Sequence, residues 1–322
     1  KKNHFAILIA ARNEETVIKN LINSLKKQNY PSNKYDVYVI VNNCTDNTLE
    51  VAKNAGAKII ECKQKVKSKG EVLKYTFNKL KSNDEIDAYV IFDADNVVHR
   101  EFLNKMNDSI NCGYEVVQGF RDTKNICDNW LSTSYAILYY LQSLFINKSR
   151  FNFGMSSFLN GTGFMVKKET IDRYGYDPKT ITEDIEYTAI CAINGIKIAF
   201  NENAITYDEQ VTDFKSSLKQ RKRWSFGAIQ CLKNYTGSLI KEGIKNKRFE
   251  CFDVIIFYFG IIFHVLFTIV SLIGIFYNVF YLNNFNSMDV VIYFIMFTIS
   301  GILGYIPICV VILPLIAGVL GG

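Results

Sequence analysis

Three polar clusters interrupt otherwise apolar stretches of this chain, at spacings that suit chemistry on phosphate esters. The first is IFDADN, in which Asp93 and Asp95 flank Ala94 at the end of an apolar run. Two carboxylates this close repel each other unless a cation lies between or beside them, and hard oxygen ligands of this kind suit Mg2+ or Mn2+ completed by phosphate oxygens. The plain alternative is an ordinary polar loop, since D-x-D arises easily by chance. The second cluster is TITEDIEY, where Glu183 and Asp184 follow Thr182. It reads either as a pair for proton transfer or as a helix start, with Thr182 as N-cap and the acids complementing the helix dipole. The third is LKQRKRWSFG, residues 218–227. On a helical wheel Gln220, Arg223, Trp224, Gly227 and Cys231 share one face, and Arg221 and Lys222 point elsewhere. Such a face can hold phosphate oxygens and offer an indole plate to a sugar ring, or it can be an interfacial helix with a Trp anchor and snorkelling cations.

The elements that must carry these residues are legible in the first third of the chain. HFAILIAA (4–11), YDVYVIVN (35–42), AKIIEC (57–62) and DAYVIFD (87–93) are short β-branched or aromatic runs, and the helical patterns of 14–28, 44–56 and 69–82 alternate with them. That alternation predicts an α/β domain with a parallel sheet covered on both faces, and ligands in such sheets sit beyond the carboxyl ends of the strands. Polar residues gather at those ends, in ARNEE, NNCTD and DADN. LNGTGFMV (159–166) reads as a glycine-broken strand that lets a ligand approach the backbone. No G-x-G-x-x-G follows the first strand and no G-x-x-x-x-G-K-[ST] occurs, which removes the main support for dinucleotide and P-loop readings.

Composition narrows the function classes further. A net charge of +6 over 322 residues, with acids nearly balancing bases before residue 250, is too even for a nucleic-acid partner. Eight cysteines form no C-x-x-C pair and meet only three histidines, so they read as buried small hydrophobes rather than zinc ligands. After Glu250 no Lys or Arg occurs, and the only carboxylates are Asp253 and Asp289. The runs 253–282 and 288–322 each exceed the roughly 20 apolar residues that a span requires, so two transmembrane helices are expected. Lys241, Lys245, Lys247 and Arg248 precede them and place the large N-terminal domain in the cytoplasm by the positive-inside bias. The segment 129–154 is aromatic and poor in charge, and fits either an amphipathic helix at the bilayer surface or a buried helix of the domain. The division that results is a catalytic domain over 1–212, interfacial helices over 213–250 and a membrane part over 251–322.

In order and spacing, ARNEE, DAD at 93–95, TED at 182–184 and QRKRW at 220–224 resemble the inverting, membrane-integrated glycosyltransferases of family 2, which include cellulose, chitin, hyaluronan and poly-N-acetylglucosamine synthases. The resemblance implies a GT-A (Rossmann-like) catalytic domain with interfacial amphipathic helices, followed by transmembrane α-helices, in the plasma membrane. It implies a UDP-sugar donor, UDP-glucose favoured, and a growing β-linked polysaccharide as acceptor. Transfer of a single sugar to a lipid, and UDP-GlcNAc polymerisation, are the alternatives. By the same resemblance Asp184, with Glu183 and Thr182, would be catalytic, Asp184 as general base. Ala11, Arg12, Glu15, Asn42, Lys69, Asp93 and Arg223 would bind the donor nucleotide, with Asn42 standing where the family has a uracil-reading aspartate. Gln220, Trp224, Gly161, Thr162 and Gly163 would meet the acceptor, and Asp93 and Asp95 would hold the Mg2+ or Mn2+. Membrane lipid is an expected partner. With only two candidate spans, a polymer channel would need another copy or a further subunit to complete it.

Overall fold

The computed structural model describes residues 1–260 together with the helical positions Ile269, Ile273 and Phe276. The four expected strands form within about one residue of their sequence bounds: β1 (Phe5–Ala11), β2 (Tyr35–Val41), β3 (Lys58–Glu61) and β4 (Ala88–Asp93). Between them run α1 (Ile18–Lys26), α2 (Thr48–Asn54) and α3 (Lys69–Leu80). Helix α1 turns Ile18, Leu21, Ile22 and Leu25 to the sheet, the 3–4 spacing of a half-buried helix. In β1, Phe5, Ile7 and Ile9 enter the core beneath α1 and α2, while Ala6 and Leu8 enter the opposite core with α3, which is the double burial of a central parallel strand.

The sheet as a whole is mixed, and this corrects the all-parallel expectation. Its eight strands lie in the order β3-β2-β1-β4-β7-β6-β8-β5, with β5 at Val97–Val98, β6 at Val116–Thr123, β7 at Phe164–Lys167 and β8 at Ile198–Asp208. Strand β7 enters between β4 and β6 and runs antiparallel to both, and β8 then pairs parallel to β6. The run expected as one strand over 159–166 is regular only from Phe164, because Gly161 (φ 88°) and Gly163 (φ 62°) take left-handed conformations that break the pleat. The freed backbone is still tied down: Gly163 N–H donates to the Ile91 carbonyl and Gly119 N–H to the Gly163 carbonyl, both at 2.9 Å.

Further helices complete this part: α4 (Phe102–Asn111), α5 (Trp130–Leu141), α6 (Ser149–Asn152), α7 (Lys168–Tyr174), α8 (Glu183–Asn194) and the long α9 (Phe214–Lys245). Segment 129–154 is helical, with one side buried on the domain and the other exposed. Asn129 caps α5 by accepting from Leu131 N–H and Ser132 N–H, and a π-helical stretch over Gln142–Lys148 carries the helix into α6. Leu131, Tyr135, Tyr139 and Ile146 are buried on the domain, whereas Trp130, Ile137, Tyr140 and Phe145 are exposed. Of the cysteines, Cys62, Cys191, Cys231 and Cys251 are buried as expected. Cys112, at the end of α4, and Cys127, in the loop before α5, are exposed instead.

The chain forms two compact units, Lys1–Gly227 and the part from Ala228 onward. In the second, a helix over 249–260 follows α9, and Phe252 packs where a side chain at Gly243 would stand. Among the described residues no helix is long and apolar enough to cross a membrane. The spans expected over 253–282 and 288–322 lie almost wholly outside the described residues.

Close packing at the junction of β6 and β7 yields a stability test. A Cβ on Gly119 would stand 2.5 Å from the Ala204 carbonyl oxygen and 2.9 Å from that of Gly163, both backbone atoms that cannot swing aside. Gly119→Ala is therefore expected to destabilise the domain by about 3 kcal/mol, read as a lower midpoint in urea unfolding.

Candidate active site

The carboxyl end of β4 and the amino end of α3 meet at one half-buried ammonium. Ser68 caps α3 by accepting from Glu71 N–H, which places Lys69 at the first helical position and aims its side chain back across the strand ends. Lys69 Nζ donates to Asp93 Oδ1 at 2.5 Å and to the Gly161 carbonyl at 2.7 Å, and lies 3.9 Å from Glu183 Oε1. Burial alone would lower the Lys69 pKa, but Asp93, Glu183 and Asp184 together raise it, so the side chain stays charged.

Behind this contact the DAD turn is held by buried side chains. Asp93 N–H donates to Thr162 Oγ1 at 3.0 Å and to Asn96 Oδ1 at 3.2 Å, and the Thr162 hydroxyl donates to the same Asn96 oxygen. The Asn96 amide then donates to Asp208 at 3.0 Å and to Asp95 at 3.3 Å. Thr162 is fully buried. The structure thus corrects its expected place beside the acceptor, because its hydroxyl is spent on the DAD turn. Asp208, at the end of β8, pairs with Arg121 of β6 through both Nε and Nη2 and also accepts from Gln210. Arg121 reaches the Asn160 carbonyl at 2.8 Å and stacks 3.8 Å from the Tyr139 ring centroid. Arg121 and Asp208 did not stand out in the sequence, since β6 and β8 were not read as strands, and Asn96 stood inside DADN without a role assigned to it. The alternating VVQGFR and the polar end of IAFNENAITYD were the available signals.

Asp95 is consequently a carboxyl crowded by others. Burial first, then Asp208 and Asp93, push its pKa up to about 8 against the opposing pull of Arg121 and Lys124. That crowding fits a divalent cation. Among the described residues no three His, Cys, Asp or Glu side chains form a ready cage. Asp93 and Asp95 would hold the ion as two carboxylates, with diphosphate oxygens supplying further ligands.

The TED segment stands across from this loop at the start of α8. Thr182 occupies the N-cap position, but its hydroxyl makes no capping bond. Thr182 is buried, and a Cβ on Gly227 would stand 2.2 Å from its oxygen. Its contribution is therefore close packing against α9 rather than the cap expected of it. Asp184 is aimed at the LNGTG loop, with Oδ2 only 3.2 Å from where a side chain on Gly161 would begin. Burial raises the pKa of Asp184, against backbone hydrogen bonds and the charges of Lys69 and Arg121. Burial likewise pushes Glu183 up to about 7, with Lys69 opposing and Asp184 adding to the rise.

The start of α9 divides its polar residues differently from the helical wheel. Gln220 and Arg223 line a groove of about 550 Å3 with Lys219, Lys222, Phe226 and Ile181, so Lys222 shares a side of α9 with them. Trp224 turns from that set and packs edge-on against Tyr135 and Tyr139, with ring centroids 6.1 and 6.5 Å away. Arg221 lies over the Tyr135 ring and donates to its hydroxyl at 3.3 Å. In this arrangement the indole supports the wall of the site, because the aromatic side chains of α5 offer it a buried seat.

On the nucleotide side the loops after β1 and β2 are stitched together. Glu15 Oε2 accepts from Asn47 N–H at 2.8 Å, Asn13 Oδ1 accepts from Thr45 N–H, and Thr48 Oγ1 accepts from Glu14 N–H. Glu15 is thereby occupied as a loop brace, whereas Arg12 is exposed and Ala11 ends β1 in the core. Asn42 is buried and donates its amide to the Cys62 carbonyl at 3.0 Å, which orients its oxygen away from that contact.

Residues 2–227 match the family described as glycosyltransferase like family 2. The chain belongs to this family. It is 24% identical over 283 residues to the probable glycosyltransferase YdaM of Bacillus subtilis, covering 80% of this chain and 64% of that protein. It is also 24% identical over 233 residues to a beta-monoglucosyldiacylglycerol synthase of Synechocystis, covering 71% and 48%. The chain thus spans about half to two thirds of the length of these relatives. Among solved structures, S. aureus TarS 1-349 in complex with UDP-GlcNAc superposes with a TM-score of 0.53 at 18% identity, covering 80% of each chain, which supports a GT-A-like mixed α/β fold. The polymer-synthase branch expected from the sequence is a finer distinction than family membership.

For a glycosyltransferase so arranged, the raised carboxyls set the pH dependence. As a base Asp184 would work only when ionised, so activity should then fall on acidification with a midpoint above the ordinary 3.8 of an aspartate. Lys69 favours the ionised form, and Lys69→Met is expected to move the acid limb of the kcat/KM profile to higher pH. An acid limb at the ordinary aspartate value would contradict the burial argument.

Proposed function

We propose that the protein transfers a hexose, with glucose favoured, from a UDP-sugar to an acceptor hydroxyl with inversion, Asp184 serving as general base. The observation that carries this reading is the placing of a buried, raised-pKa carboxylate across the Lys69 junction from the DAD loop. The acceptor O–H gives its proton to Asp184, and its oxygen attacks C1 from the face opposite the diphosphate. The C1–O bond then breaks, and the electron pair leaves with UDP. A bound divalent cation supplies charge neutralisation to the departing diphosphate. Arg223 is exposed on the groove wall and is free to add to that neutralisation, and the Asn42 oxygen offers an acceptor for a base N–H. The UDP-GlcNAc bound by TarS supports the choice of nucleotide.

The resemblance to synthases supports extension of a β-linked polysaccharide at the plasma membrane, with the catalytic unit in the cytoplasm. The exposed Trp130, Ile137, Tyr140 and Phe145 on the outer face of α5 and the π-helical stretch support a membrane-facing surface. The second reading, addition of one sugar to a lipid, is supported by the diacylglycerol product named for the Synechocystis relative. Incubation of the purified protein in lipid with UDP-glucose, UDP-GlcNAc or GDP-mannose and Mn2+ or Mg2+ tests both. The expected result is a β-linked product from UDP-glucose, as a hydrolase-sensitive ladder for the first reading or one glycolipid spot for the second. Preference for GDP-mannose, or an α-linked product, would overturn the assignment.

A further inference from the structure

The groove beside α9 carries more positive charge than a nucleotide-sugar donor requires. Lys219, Lys222 and Arg223 all line it, and among the described residues none of them has a carboxylate partner. The proposed reading uses Arg223 for the donor diphosphate, already served by the cation at Asp93 and Asp95. Two lysines are then left on the same wall. Gln220 lies in the same wall, and its amide oxygen is buried without a hydrogen-bond donor among the described residues. An unmatched buried polar atom costs on the order of 1–3 kcal/mol, so this residue has capacity that a ligand hydroxyl can use once its side chain turns to the groove. Ile181, directly before the TED segment, and the exposed ring of Phe226 add an apolar margin.

A neutral sugar or diacylglycerol offers two exposed lysines only hydroxyl and carbonyl oxygens, with no charge to match. An acceptor with a phosphodiester next to its hydroxyl satisfies the lysines through its anionic oxygens, Gln220 through its O–H and Phe226 through its carbon skeleton. Ile181 lines the groove, and Thr182, the next residue, packs against Gly227 of α9, so a ligand held there lies beside the segment that opens α8. We propose that this groove takes an anionic acceptor, a hydroxyl adjacent to a phosphodiester, with Lys219 and Lys222 reading the charge. The proposal rests on the UDP-sugar reading above and specifies its acceptor. Phosphodiesters of this kind occur free in solution and as lipid headgroups.

The test fills the donor site with UDP and Mn2+ and titrates the protein with glycerophosphoglycerol, using uncharged diglycerol as control. Binding of UDP under these conditions checks the donor reading separately, and its absence would count against that reading alone. The expected result is saturable binding of glycerophosphoglycerol but not of diglycerol, weakened about tenfold or more in K219A/K222A, with UDP binding showing that the variant is folded. A parallel arm uses vesicles containing phosphatidylglycerol, against neutral vesicles, to separate a lipid source from a soluble one. No saturable binding of the soluble diester, or equal binding by the variant, overturns the proposal. Loss of vesicle binding in the variant without any soluble-diester binding also overturns it, since the lysines would then read the bilayer surface.

Discussion

The site is organised around one half-buried cation, Lys69. Asp93 and Glu183 come from distant parts of the chain, and with Asp184 and Asp95 they bring four carboxyls to one end of the sheet. Gathered without a counter-charge, they would drive the strand ends apart or take up protons. At the observed 3.9 Å to Glu183, and with an effective dielectric near ~20, the attraction to Lys69 is on the order of 4 kcal/mol before desolvation is counted. The closer contacts to Asp93 and to the Gly161 carbonyl fix where the ammonium stands. Three pieces meet there: the DAD loop after β4, the glycine loop before β7 and the first turn of α8. The Ser68 cap matters because it fixes the helix start from which Lys69 reaches all of them.

A second cation serves the other half of the acidic cluster. Arg121 holds Asp208, Asn96 links Asp208 to Asp95, and Tyr139 stacks on the guanidinium while Trp224 packs on Tyr139. This chain of contacts joins the Q-x-x-R-W segment to the D-x-D turn through side chains from β6, β8 and α5. It accounts for an indole that faces inward while its neighbours Gln220 and Arg223 line the groove. Lys69 and Arg121 each supply a positive charge to a different carboxyl of this cluster, Asp93 and Asp208.

The first four strands and three helices were legible because β-branched runs alternate with amphipathic ones, and each pattern has its own period. The second half of the sheet was not, since β6 and β8 mix glycine, arginine and asparagine into their runs. Gly119 and the bulge after it show why: the strand bends where backbone meets backbone. The four carboxyls Asp93, Asp95, Glu183 and Asp184 were legible as candidates from type and spacing, and their expected roles came from the resemblance. Which side of α9 packs inward was not legible, because a helical wheel gives phase without saying where the domain lies. The seat offered by Tyr135 and Tyr139 decides that Trp224 turns inward and that Lys222 joins the groove. Thr162 likewise looked like a ligand contact beside two glycines, and only the fold shows its hydroxyl committed to the Asp93 turn.

In the proposed reaction, donor binding and proton removal rest on separate pieces of this site, joined through Lys69. Single-turnover transfer from radiolabelled UDP-glucose, measured alongside UDP affinity in Asp184→Asn, addresses this separation most directly. The account predicts UDP affinity within a few-fold of the native protein and a transfer rate lower by about 1000-fold. Transfer at a near-native rate in that variant would contradict it.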